Sequence, residues 1–272
     1  MLLAATGCAG GNETQARAAG GQAAAAGEPR QETGQEMRPP SPSPPPPRDI
    51  DCDQVKCVSL TFDDGPGEHT GRLLDTLKAA GVRATFFMLG QMVREHPDLV
   101  RRMVLEGHEV ANHTWSHRDL TGLSAAGVRS QIERTQEAVK DVTGVEPALM
   151  RPPYGATDEK VARAVGMPQI LWSVDTMDWR HRSLVRNTEV GIQEPVHGDI
   201  VLYHDIHKPT VDSIPKVIEG LKERGFTLVT VTEMFQGEKL TPGETYTGRI
   251  EEAAQVAADP PPSGSPAGPP AR

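Results

Sequence analysis

The 272 residues carry 28 Lys plus Arg against 37 Asp plus Glu, a formal net charge of −9. No segment is dense enough in Lys or Arg to track a nucleic-acid backbone, which argues against nucleic acid as a partner. No apolar stretch approaches the ~18 residues that a transmembrane span requires.

The chain begins MLLAATGC. Its Gly7-Cys8 pair resembles the end of a bacterial lipoprotein signal, which makes Cys8 a candidate lipid anchor and the protein an exported one. No basic segment precedes it and the apolar run is shorter than the usual ~7–15 residues. The alternatives are a start assigned too far downstream, or coincidence. Residues 1–48 and 259–272 together hold 14 of the 24 prolines, whereas every Trp, Tyr and Phe lies between Phe62 and Tyr246. Tracts of that composition bury too little apolar surface to offset the entropy of ordering them, and disordered tails are expected. The expected organisation is a signal-like start and linker over 1–48, a folded domain over 49–237, and a largely disordered extension over 238–272. Roughly 190 residues is an ordinary size for one domain with one core.

Cys52 and Cys57 stand just before the first apolar run. A small disulfide loop, which would need an oxidising compartment, and two free thiols are both compatible with that spacing. A structural zinc site is not, because no second Cys or His pair has matching spacing.

In the expected domain, short β-rich runs alternate with amphipathic helical ones. The strand candidates are 58–62, 84–89, 109–112, 148–151, 169–174, 199–204 and 227–231. In the first, Val58, Leu60 and Phe62 share a face. Leu73, Leu74 and Leu77 mark a helix over 70–80, stopped by Gly81. A second helix is expected over 125–142 behind a Ser124 N-cap, and a third over 211–224. About seven strands alternating with helices indicate an α/β domain with a parallel sheet, either open or closed into a barrel.

The reactive residues follow the strands. Asp63 and Asp64 follow the first, His113 and His117 the third, and Arg151 ends the fourth. Asp175 and Asp178 follow the fifth, and His204 with Asp205 ends the sixth. Strand carboxyl ends converge in both architectures, so residues far apart in sequence can share one pocket. The spacing of His113 and His117 puts two imidazoles together if that segment turns helically. Two imidazoles and a carboxylate form a common catalytic zinc shell. Asp63-Asp64-Gly65-Pro66 reads either as an Asp-Gly turn with one capping carboxylate or as one Asp for a metal and one left free as a base.

Thr61-Phe62-Asp63-Asp64-Gly65-Pro66 resembles the first motif of the NodB-type polysaccharide deacetylases, carbohydrate esterase family 4. His113-Thr114-Trp115-Ser116-His117 resembles the second motif, and Arg151-Pro152-Pro153-Tyr154-Gly155 the third. Asp175-Thr176-Met177-Asp178-Trp179 and Leu202-Tyr203-His204-Asp205 resemble the fourth and fifth. The five occur in the family's order over about 55–235.

The resemblance implies an irregular (β/α) barrel and a divalent metal, most often Zn2+, on Asp64, His113 and His117. It implies Asp63 as catalytic base, oriented by Arg151, and His204 as general acid. Asp178 is expected to tune His204, with Asp175 as the second choice for that role. Tyr154 is assigned to the substrate through its backbone N–H, and Leu202 and Asp175 are placed with it in the binding site. Trp179 and Tyr203 are expected to offer flat surfaces to a sugar ring, and Trp172 to lie in the core. His207 is expected either at the site or on the surface.

The implied reaction is removal of N-acetyl groups from a carbohydrate polymer, peptidoglycan or chitin-like, by a secreted hydrolase. The alternative is an O-acetyl esterase on acetylated xylan. A sugar-binding protein without catalysis would have a broken triad or lack the base or acid, and each of these residue types is present.

Overall fold

The computed structural model describes residues 45–249. Cys8 and most of both expected tails lie outside the described residues. Strand β1 (Lys56–Asp63) leads through α1 (Thr70–Ala80) to β2 (Thr85–Met88). Helices α2 (Gly90–Glu95) and α3 (Pro97–Leu105) then precede β3 (Glu109–Asn112), and α4 (Ala125–Thr143) and α5 (Glu159–Val165) follow it. Next come β4 (Gln169–Ile170), β5 (Val174–Asp175), α6 (Asp178–His181), α7 (Leu184–Gln193) and β6 (Ile200–His204). The described chain closes with α8 (Lys208–Glu223), β7 (Phe226–Leu228), α9 (Val231–Met234) and β8 (Thr245–Tyr246).

The main sheet runs β3-β2-β1-β6-β5, with β7 added beside the start of β1. Every ladder between these strands is parallel. Met150 forms parallel bridges to Asn112 on one side and to Gln169 on the other. The run 169–175 is thus tied to β3 through Met150 and to β6 through β5, which closes an irregular (β/α) barrel.

Alternation along the strands divides the core in two. Val58, Leu60, Phe62, Phe86, Met88, Val110, Val201 and Tyr203 belong to the cluster packed under the helices. Cys57, Phe87, Ala111, Ile170 and Ile200 belong to a second cluster inside the ring. Burial on both faces is the usual condition of parallel strands in such folds.

Several helix limits follow the local sequence signals. Gly81 ends α1 in the left-handed region at φ +64, and the Ser124 hydroxyl caps α4 by accepting the Gly127 N–H. Expected strand limits shift where backbone groups are used otherwise. The run 169–174 splits into β4 and β5 because the Ile170 and Leu171 carbonyls accept the Arg151 guanidinium. The run 148–151 keeps strand pairing only at Met150. The run 227–231 stops at Leu228, because Thr230 turns into the N-cap of α9 in a capping box with Glu233. Strand β8 lies beyond residue 237, where the expected domain ends, and its pairing with β4 carries the ordered chain on to 249.

Cys52 and Cys57 are disulfide-bonded and buried. This settles the choice left open by their spacing.

Candidate active site

A cavity of ≈ 470 Å³ opens at the carboxyl ends of the strands. Asp63 and Asp64 reach it from β1, His113 and His117 from the loop after β3, and His204 from β6. Asp175, Trp179, Arg182, Tyr154, Leu202 and His207 also line it.

Arg151 anchors the floor. Its guanidinium is fully buried and donates to Asp63 Oδ1 at 2.7 Å, to the Thr61 hydroxyl at 2.8 Å, and to the carbonyls of Ile170 and Leu171. It also lies 4.0 Å above the Phe87 ring. Burial is the largest influence on both partners, lowering Arg151 and raising Asp63, and the attraction between them opposes it. Asp63 therefore sits above the usual carboxylate value, which makes it a stronger base.

Asp64, His113 and His117 form the one group of ligand-capable side chains of this kind among the described residues. Asp64 Oδ1 is buried without a hydrogen-bond partner, 3.6 Å from His113 Nε2 and 3.5 Å from His117 Nε2. Those separations are too long for hydrogen bonds. They are near the ~3.3 Å edge of a tetrahedron built on metal–ligand bonds of ~2.0–2.1 Å. His113 Nδ1 lies 2.8 Å from the Arg151 carbonyl, which can only accept, so Nδ1 carries the proton and Nε2 keeps its lone pair. An unpaired buried oxygen costs about 1–3 kcal/mol, which a bound cation would offset. The donor set fits a divalent metal.

The opposite wall holds Asp178 and His204. Asp178 Oδ1 is 2.8 Å from His204 Nδ1, while Oδ2 accepts the His204 N–H and the Thr210 hydroxyl. Burial alone would lower the imidazole, but the hydrogen bond and charge of Asp178 raise it to about 9. Burial would raise Asp178, and the bonds from His204 and Thr210 outweigh it and hold the carboxyl below its ordinary value.

A polysaccharide deacetylase family model matches residues 51–170. Over 197 residues the chain is 47% identical to the peptidoglycan-N-acetylglucosamine deacetylase PgdA of Listeria monocytogenes, covering 72% of this chain and 42% of that protein. A solved structure described as T48 deacetylase with substrate superposes with a TM-score of 0.71 at 43% identity, over 72% of this chain and 99% of that one. The chain belongs to the polysaccharide deacetylase family. A family 4 acetyl xylan esterase from Clostridium thermocellum, solved in complex with a cobalt ion, superposes with a TM-score of 0.68 at 32% identity, over 71% of this chain and 98% of that one. The chain spans less than half the length of the Listeria relative.

In this member of the family, every residue singled out for catalysis, metal or substrate except Arg151, Asp178 and Tyr203 lines the cavity, and Arg151 and Asp178 touch residues that do. Three details differ from expectation. His113 and His117 are not on a helical turn: Thr114 and His117 are left-handed, at φ +71 and +55, and the loop is held by Asn112 Oδ1 and the Thr114 hydroxyl. Tyr203 offers no surface to a sugar, because it is fully buried, stacks on Phe62 and donates its hydroxyl to the Asn187 carbonyl. Trp172 is half-buried and lines the cavity instead of lying wholly in the core.

Thr210 escaped the sequence reading, because it reaches Asp178 across 32 positions from the first turn of α8. Asp205, named at the end of the sixth strand, had been given no role. It is fully buried, bonded to the Thr70 hydroxyl and packed against Gly65, where a Cβ would meet its carboxylate. The Asp-Gly pair carried a signal for it, since only a glycine leaves that space.

Proposed function

We propose that this chain is a metal-dependent hydrolase that removes N-acetyl groups from an N-acetylglucosamine-containing cell-wall glycan. The observation that carries the reading is one cavity with an orphaned Asp64 oxygen and two imidazoles on one wall and the Asp178–His204 pair on the other. Asp64, His113 and His117 would hold the metal, most often zinc for such a set, and its charge would acidify a water and polarise the acetyl carbonyl.

Asp63 Oδ1 is held by Arg151, and Oδ2 is the oxygen left to take a proton as water adds to the carbonyl. The Tyr154 backbone N–H would donate to the oxygen that becomes negative. An amine leaves poorly unless protonated. His204, kept protonated by Asp178, gives that proton from Nε2, the nitrogen that Asp178 does not engage. Trp179 is 46% exposed, enough to offer its face to a sugar ring, with Tyr154, Leu202 and Asp175 around it.

The catalytic domain would extend from about 49 to at least 249. The Cys52–Cys57 bond supports secretion into an oxidising compartment, and lipidation at Cys8 would add an anchor to the membrane surface. Acetylated xylan is the second reading, favoured by the Clostridium neighbour; the same residues would serve an ester.

The test is acetate release from peptidoglycan strands, chitin oligomers and acetylated xylan, before and after chelation and with zinc restored. The reading expects release from the first two, lost on chelation and recovered with zinc. Full activity in metal-free protein, or release from xylan alone, overturns it.

A further inference from the structure

Six non-glycine residues among those described have positive φ: Asp64, Thr114, His117, Tyr154, Met177 and Arg182. Such conformations cost on the order of 1–3 kcal/mol each and persist where surrounding structure holds them. Four of the six line the cavity. Asp64 and His117 belong to the metal set and Tyr154 to the substrate reading. Thr114 shapes the His113–His117 loop, and Met177 immediately precedes Asp178. Arg182, at φ +49, is the one for which the reaction supplies no task.

Arg182 follows α6, and its Nε donates to the Trp179 carbonyl at 2.8 Å. Among the described residues no carboxylate pairs with it, so its Nη groups remain available in the cavity that Trp179 also lines. No other Lys or Arg lines the cavity, whose wall carries the carboxylates of Asp63, Asp64 and Asp175. A guanidinium fork held at one nitrogen offers the paired N–H donors that a carboxylate accepts.

We propose that Arg182 is a specificity-determining residue that binds a carboxylate carried by the glycan beside the acetylated sugar. It would select an acidic cell-wall glycan over neutral chitin-type chains. The inference rests on the deacetylase reading only for where the acetylated sugar lies. Such a carboxylate comes either from the lactyl ether of a muramic acid unit or from a stem peptide attached to it.

The experiment compares wild type with Arg182→Gln and Arg182→Lys on three probes: chitin oligomers, peptide-free peptidoglycan strands and peptide-bearing strands. Binding is read by tryptophan fluorescence titration, and kcat and KM by acetate release. Arg182→Gln should weaken binding to the acidic strands about threefold to tenfold more than to chitin, mainly through KM. Arg182→Lys should recover part of the loss, and added salt should narrow the gap. A larger loss on peptide-free strands identifies the lactyl group, and a larger loss on peptide-bearing strands the peptide. Equal change on acidic and neutral probes, or none, overturns the proposal. Selective binding lost with Arg182 in a protein that releases no acetate would sink the deacetylase reading and leave this one standing.

Discussion

The two walls of the cavity treat the same side chain in opposite ways. His113 and His204 are both largely buried, and burial disfavours the charged imidazole at each. At His113 the close Nδ1 partner is the Arg151 carbonyl, burial outweighs the pull of Asp64, and the pKa falls to about 3. At His204 the partner at the same 2.8 Å is the Asp178 carboxylate, and the pKa rises to about 9. A carbonyl fixes the tautomer without supplying a full charge. A carboxylate fixes it and stabilises the proton. One wall therefore presents lone pairs and suits a cation, while the other presents a proton.

The largest expected effects break the metal wall. Asp64→Asn should lose metal and activity together. Asp63→Asn should keep its metal and lose about 10²–10⁴-fold in turnover, the usual span for a general base. Metal analysis of both purified variants beside acetate-release rates decides this, and the reverse pattern would exchange the two roles.

A smaller effect tests the acid wall. With its pKa raised, His204 stays protonated well above the ordinary imidazole value, so the basic limb of the pH–rate profile should lie on the alkaline side. Asp178→Asn removes the charge responsible, and the limb should move to lower pH with activity lost first above neutrality. A kcat/KM profile with an unmoved basic limb would show that Asp178 does not tune the acid.

The smallest expected effect on turnover lies at the far end of the barrel. Glu233 is buried in a structural network, bonded to Arg48, Arg83 and the Thr230 N–H. Burial alone would raise its pKa, but Arg48 and Thr230 outweigh it and hold the carboxyl at about 2. A depressed carboxylate contributes stability above its unfolded value of 4.5 and loses it as pH falls through about 2. Glu233→Gln should cost about 2 kcal/mol near neutrality, leave kcat unchanged, and flatten the acid-side loss of stability. Denaturant midpoints of both proteins across that pH range measure it.

Local signals made the outline legible before any coordinates. Alternation in VSLTF, the leucine spacing of α1 and its Gly81 stop, and the Ser124 cap all depend on contacts within a turn or along one strand. The five motifs at strand ends marked the cavity residues, because parallel strands bring their carboxyl ends together. Long-range partners were not legible. Nothing near Tyr203 signals that it stacks on Phe62 and bonds to Asn187, and nothing near Asp178 names Thr210. The sequence by itself determined the barrel's repeating strands and helices, the residue types at their ends and the family. The tertiary structure alone decided the left-handed loop that joins His113 to His117, the carbonyl or carboxylate that each imidazole meets, and the direction of Arg182. The two imidazoles meet partners 38 and 26 positions away, which no local signal names, and the surrounding structure can hold a backbone conformation that local preference disfavours.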